Sequence, residues 1–214
     1  MNTVIITGVA GGLGRVSAKQ FIQAGWKVIG TGIGAKPDDL DESIDYHDFD
    51  ASDSAACEKF WADIKGSLEG EVCLFNCAGG FAGGTVVETS PEDYDKQMAS
   101  NYFAGVYMSR AFAKTVEKGR MVNIVSASAL APHETIAAYG ASKAAGMFFF
   151  QTMQKEFKPT QYQITNIYPD MIATQGPNPE AINPEDLAEL VLQAATSQAT
   201  YVMQDIILKS VGTE

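Results

Sequence analysis

The sequence predicts an α/β fold: a doubly wound, parallel sheet of seven strands with helices on both faces. Three observations carry this expectation. Short apolar runs alternate with longer stretches of helical character along the 214 residues. Several runs, among them Val4-Ile5-Ile6, Val72-Cys73-Leu74-Phe75 and Val122-Asn123-Ile124-Val125, are almost continuously hydrophobic, as strands covered on both faces must be. Glycine and polar residues gather directly after the runs, where ligands of such sheets bind.

The elements follow in order. The first strand spans residues 3–6 and feeds a helix at 12–24 through a glycine-rich turn. Strands at 27–30 and 45–49 precede a helix at 53–67, and a fourth strand at 72–75 ends in Asn76-Cys77-Ala78-Gly79. The next helix, 91–118, opens on Ser90-Pro91-Glu92-Asp93: a cap residue, proline at the first position and acids in the first turn. Strand 121–125 ends at Ser126, and a helix at 139–157 follows. Strand 163–168 leads into Pro169–Thr174 in sequence, and the helix at 184–195 opens on Asn183-Pro184-Glu185-Asp186 with the same cap logic. The last strand is expected at 201–208. Right-handed crossovers place the helices on both faces. One domain over residues 1–214 accommodates all of this.

Composition narrows the function classes. Fifteen basic and 26 acidic residues give a net charge of −11. Such a chain is repelled by phosphate backbones and anionic lipid, so neither nucleic acid nor membrane is an expected partner. Three cysteines, Cys57, Cys73 and Cys77, are an odd number in a chain that needs no staples. They favour a reducing compartment, and a cytoplasmic location is expected. His47 and His133 stand far apart with no cysteine cluster at zinc spacing, so no metal site is expected. The N-terminus lacks the basic region of a secretory leader, and no apolar stretch reaches membrane-spanning length.

The turn after the first strand reads Thr7-Gly8-Val9-Ala10-Gly11-Gly12-Leu13-Gly14. Gly8 permits a tight turn, Gly12 lets backbone approach a pyrophosphate, and Gly14 lets helix and strand pack closely. The helix N-terminus adds free N–H groups and a positive dipole end. No Gly-Lys-Ser/Thr follows, which disfavours a P-loop nucleotidase. Further along, Tyr139 and Lys143 stand one helical turn apart on one face. Taken alone, such a pair is more often a solvated helix pair, and a serine after a strand is more often a turn or cap residue.

The order and spacing of these motifs change that balance. Thr-Gly-x-x-x-Gly-x-Gly, Asn76-x-Ala-Gly79, Ser126 and Tyr139-x-x-x-Lys143 resemble the short-chain dehydrogenase/reductase family over nearly the whole chain. The resemblance implies a Rossmann-type fold and an NAD(P)-dependent oxidoreductase acting on a small carbonyl or alcohol. It implies Ser126, Tyr139, Lys143 and Asn101 as catalytic residues, with Tyr139 the general acid/base and Lys143 lowering its pKa. Ser126 would bind the substrate oxygen, and Asn101 would anchor a water that links the lysine to solvent. For the cofactor it implies Gly8, Gly12, Leu13 and Gly14 at the phosphates and Asp50 at the adenine. Asn76, Ala78 and Gly79 would lie along it, with Tyr139 and Lys143. Pro169, Ile172 and Thr174 would lie beside the nicotinamide. Ser128, a rival hydroxyl to Ser126, is expected in the substrate pocket with Phe81 and His133. A homodimer or homotetramer is implied by the resemblance alone.

Three departures bear on specificity. No acid stands near Gly32 to exclude a 2′-phosphate, and Arg15 and Lys36 are the nearby cations, so the lean is to NADP. Asp170 stands where the family usually has glycine. Residues 175–183 form a short stub in place of a longer helical lid, so an open pocket is expected. The alternative reading is a catalytically silent NAD(P)-binding regulatory or sensor module, disfavoured by the intact serine, tyrosine and lysine set.

Overall fold

The computed structural model describes residues 1–198 and 200–211. Seven strands form one sheet in the order β3-β2-β1-β4-β5-β6-β7, and every pairing is parallel. They are β1 (Thr3–Thr7), β2 (Lys27–Gly32), β3 (Asp45–Asp48), β4 (Val72–Asn76), β5 (Gly119–Ile124), β6 (Tyr162–Pro169) and β7 (Asp205–Leu208). Chain order reverses between β1 and β4, which makes a crevice at their C-terminal ends.

Alternate strand residues face opposite ways, and each face has its own core. Ile5, Leu74, Met121 and Tyr168 pack under α2 (Ser54–Ile64), α4 (Ala104–Thr115) and α5 (Ala137–Glu156), with Trp61, Phe112 and Phe150 as the large helix contributions. Val4, Ile6, Phe75 and Ile167 pack under α1 (Gly12–Gln23) and α6 (Pro184–Thr196), through Leu13, Phe21, Leu187 and Val191. The doubly wound sheet with helices on both faces is therefore as expected.

The caps also stand where the sequence places them. The Ser90 Oγ accepts from the Asp93 N–H at 3.1 Å and the Asn183 Oδ1 from the Glu185 N–H at 2.9 Å. Each opens a helix with proline in its first turn, α3 (Pro91–Met98) and α6. Asp53 caps α2 through Ala55 and Ala56.

Two expected elements differ. The helix expected at 91–118 is α3 and α4 joined by a π-helical turn at Ala99–Phe103, and it stops at Thr115. The wider turn aims Asn101 inward, and such turns recur at functional sites. The last strand begins at Asp205 rather than at 201. Tyr201 is exposed, and the approach to β7 is held by single bonds, Thr165 Oγ1 to the Met203 carbonyl and the Asn166 N–H to the Gln204 carbonyl.

A polar ladder crosses the C-terminal half of the sheet. Asn76, Asn123, Asn166 and Asp205 are in register on β4, β5, β6 and β7. Each asparagine amide donates to the next side chain, at 2.8, 2.8 and 3.0 Å. The donations satisfy the buried oxygens of Asn123 and Asn166, while the Asn76 Oδ1 at the head of the ladder has no partner among the described residues, and the ladder holds the register of the strand ends that carry the site.

Candidate active site

A cleft of about 1200 Å³ opens at the switch point, lined by residues that follow β1, β4, β5 and β6. Its floor is built by glycines. Gly8 holds φ +67°, a left-handed conformation, and a Cβ there would meet the Ala78 backbone at 3.0 Å. The Thr7 Oγ1 accepts from the N–H groups of Cys77 and Ala78 at 3.0 and 2.9 Å, tying the two loops together. A Cβ on Gly14 would fall 2.3 Å from the Gly8 carbonyl, so α1 could not start where it does with any other residue. No side chain caps α1 and no acid stands in its first turn. The N–H groups of Gly12, Leu13 and Gly14 therefore keep their donor capacity at the cleft wall.

Ser126, Tyr139, Lys143 and Asn101 all line this cleft. β5 delivers Ser126, whose Oγ accepts from the Ser128 N–H at 3.1 Å and bonds the Tyr139 hydroxyl. α5 delivers Tyr139 and Lys143 on one face, with the Lys143 Nζ 5.8 Å from the tyrosine ring centre and 3.3 Å from the Ile124 carbonyl. The amide of Asn101 is fully engaged. Its Oδ1 accepts from the Gly80 N–H at 3.1 Å, and the two hydrogens of its Nδ2 are shared among three acceptors, the Gly80 carbonyl, Gln97 and Ser142, at 2.9, 3.0 and 3.2 Å. A Cβ on Gly79 would lie 2.7 Å from that Oδ1 and 3.4 Å from the Lys143 Nζ.

Electrostatics departs from the sequence expectation in one respect. Burial raises the Tyr139 pKa above its ordinary value, and the Ser126 hydrogen bond offsets only part of this. Lys143 contributes no resolved lowering, because the ammonium is itself deeply buried and its pKa is brought down to about 8. Burial pushes the neighbouring Cys77 thiol up to about 12, with Lys143 pulling the other way. The phenol of the bare chain is thus a proton holder.

Other expected residues fall on both sides of the cleft boundary. Leu13, Ala78, Gly79, Pro169, Ile172 and Thr174 line it, as do Ser128 and Phe81. Thr174 lies against Gly12, whose Cβ would be 2.8 Å away, so the segment after β6 reaches back over the glycine turn. Asn76 lies beneath the cleft, its amide committed to Ser109 and Asn123. Asp50 is exposed outside the lining and accepts from the Ser52 N–H at 2.8 Å. His133 is exposed outside the lining as well, in a loop that precedes α5. Arg15 bonds the Ala10 carbonyl at 2.7 Å and Asp39 at 2.9 Å, while Lys36 binds the Ile44 carbonyl.

Residues 173–181 form a loop closed at its base, where the Ile182 N–H meets the Met171 carbonyl at 2.8 Å and the Ala173 N–H meets the Ile182 carbonyl at 2.9 Å. Met171, Pro177 and Asn178 line the cleft and were not singled out by sequence reasoning. Gln97 and Ser142, which hold Asn101, were also missed. Their spacing of four before Asn101 and one before Lys143 was the available signal.

The family model described as short chain dehydrogenase matches residues 2–183. The NADP-dependent 3-hydroxy acid dehydrogenase YdfG of Salmonella typhi is 27% identical over 222 residues, covering 92% of this chain and 90% of that protein. A crystal structure of serine dehydrogenase from Escherichia coli superposes with a TM-score of 0.88 at 27% identity, over 99% of both chains. The closed form of serine dehydrogenase complexed with NADP+ gives 0.85 at 25% identity, over 99% of this chain and 96% of that one.

Proposed function

The chain belongs to the short-chain dehydrogenase/reductase family, and from that premise we propose that it is a cytoplasmic NADP-dependent oxidoreductase of carbonyls and secondary alcohols, with Tyr139 as general acid/base. The observation that carries this reading is the convergence of Ser126, Tyr139 and Lys143 in the cleft that also holds the uncapped start of α1. The cleft suits a dinucleotide. Free N–H donors meet a pyrophosphate at Gly12, Leu13 and Gly14, and the missing Cβ of Gly79 leaves room beside Lys143.

The bound nicotinamide would supply or accept the hydride. In reduction, the neutral Tyr139 phenol donates its proton to the carbonyl oxygen as charge develops there. The Ser126 hydroxyl donates a hydrogen bond to the same oxygen. Lys143, cationic below about pH 8, favours the phenolate left behind. Asn101 acts through others, holding Gly80 and the Ser142 of the Lys143 turn in place. The water relay that the family resemblance assigns to Asn101 is part of this proposal. In oxidation the same groups run in reverse, and the raised phenol pKa makes that direction the more demanding of alkaline pH. A screen of carbonyls with NADPH and of alcohols with NADP+ tests the reading. Tight cofactor binding with no turnover on any of them would favour the silent sensor module instead.

The 2′-phosphate is assigned to Arg15. It must share the guanidinium with Asp39, whose carboxylate is solvent-exposed and readily displaced. Arg15→Ala is expected to raise the KM for NADPH by about tenfold or more, the worth of one charge-assisted pair. The KM for NADH should stay within about twofold. An equal rise for both cofactors would remove the assignment.

The reading includes a homo-oligomer. Phe103 stacks on Tyr107 and packs at a tilt against Tyr102 along the π-turn and α4, Phe149 of α5 meets Tyr102, and Phe148, next to Phe149 in the chain, is 74% exposed. Light scattering is expected to give a mass of two or four times 22.9 kDa, and Phe148→Glu to reduce it. A wild-type monomer at working concentration would exclude this.

A further inference from the structure

Resting on the reading above, we propose that the substrate is an uncharged carbonyl compound with an apolar, ring-sized substituent, and that carboxylate-bearing substrates are rejected by charge. The relatives' names point the other way, since a 3-hydroxy acid and serine both carry a carboxylate.

The cleft beyond Tyr139 presents two large apolar side chains to solvent, Phe81 at 69% and Met171 at 51% exposure. Both line the cleft that holds Tyr139 and Ser126. The Phe81 ring meets the Tyr139 ring edge to face at 5.1 Å, and Met171 follows Pro169 and Asp170 at the end of β6. Apolar surface left open inside a cleft binds whatever apolar group covers it. A substituent on the carbonyl carbon that donates its oxygen to Tyr139 and Ser126 must pass this surface. The same cleft lining carries the neutral polar groups Ser128, Gln175 and Asn178, which suit an ester, amide or hydroxyl.

Charge decides against an acid. Among the described residues that line the cleft, Lys143 is the one cation and Asp170 the one anion. The undescribed residues Ala199, Gly212, Thr213 and Glu214 contain no cation. Lys143 is buried and bonded to Ile124, with its ammonium 5.8 Å from the Tyr139 ring centre. A carboxylate entering this end would shed water with no new cationic partner, a loss that an uncharged ester does not suffer. The net charge of −11 opposes its approach.

The test compares ethyl benzoylacetate with benzoylacetate, a pair with the same ketone, under saturating NADPH. The ester is expected to have a kcat/KM at least about tenfold higher. Phe81→Ala should raise the KM of the ester several-fold and leave the KM for NADPH unchanged. Met171→Arg, which installs the missing cation, should narrow or reverse the preference, which intrinsic ketone reactivity cannot do. A free acid turned over as well as its ester by the wild type would overturn the proposal and leave the oxidoreductase reading standing. NADPH binding without turnover of any carbonyl would remove that reading, and this proposal with it.

Discussion

Tyr139→Phe is expected to lower kcat by about a thousandfold or more in both directions, while NADPH affinity changes by less than about threefold. Phenylalanine keeps the ring that packs against Phe81 and removes only the hydroxyl, which bonds Ser126. The lost group is the one proton donor placed beside the substrate oxygen in the proposed reaction. Ser126 remains to bind that oxygen, but its hydroxyl holds its own proton too firmly to replace the phenol. The residual activity should also lose its alkaline rise in the oxidation direction, because that rise reports deprotonation of Tyr139. Its raised pKa predicts that wild-type oxidation is still climbing where reduction is falling. Cofactor titration by fluorescence and steady-state rates at several pH values check both parts. A variant that retains a tenth of wild-type kcat would exclude Tyr139 as the acid/base.

Much of this was legible in the sequence because it depends on local rules. Continuous apolar runs such as Val72–Phe75 announce buried strands in sequence, and Ser90-Pro91 and Asn183-Pro184 announce helix starts. Gly8 and Gly14 could be read because a tight turn and close helix–strand packing leave no room for a Cβ, and the φ of +67° at Gly8 and the 2.3 Å approach of a Gly14 Cβ to the Gly8 carbonyl agree with this. What escaped depends on contacts distant in sequence. The π-turn at Ala99–Phe103 has no periodic signature, and it exists where Asn101 must reach Gly80 and Ser142. The asparagine ladder needs strand register, which hydrophobic pattern alone does not set for polar residues. Asn76 illustrates the difference. Its motif points to the cofactor, while its amide serves the ladder beneath.

The electrostatic expectation was the hardest to carry from sequence. An i, i+4 spacing reveals that tyrosine and lysine are neighbours, and it is silent on how deeply both are buried. Depth proves to be the larger influence. It raises the phenol and lowers the ammonium, so each group opposes its own ionisation before any ligand enters. A cation held in such a place for chemistry should cost the fold stability.

Lys143→Met is therefore expected to abolish turnover and to stabilise the cofactor-free protein near neutral pH. The Lys143 pKa falls from 10.5 to about 8 through burial, with the side chain 7% exposed. Below about pH 8 both folded and unfolded chains carry the charge, and the folded state bears the full cost of burying it. That cost is on the order of 3 kcal/mol. Between about pH 8 and 10.5 the unfolded chain holds a proton that the folded chain has released, so this contribution to stability rises with pH. Tyr139 acts in the opposite sense, and only above its ordinary value of 10. Methionine fills much of the same volume without charge and forfeits the bond to Ile124, worth about 1 kcal/mol. The net gain of roughly 2 kcal/mol corresponds to about 4–8 °C in Tm for a chain of this size. The advantage of the variant should shrink as pH approaches 10, where the wild-type lysine is already neutral. Thermal melts of both proteins at neutral pH and near pH 10 measure this. A methionine variant that melts at or below wild type at neutral pH, or keeps the same advantage near pH 10, would show that Lys143 is not buried as a cation.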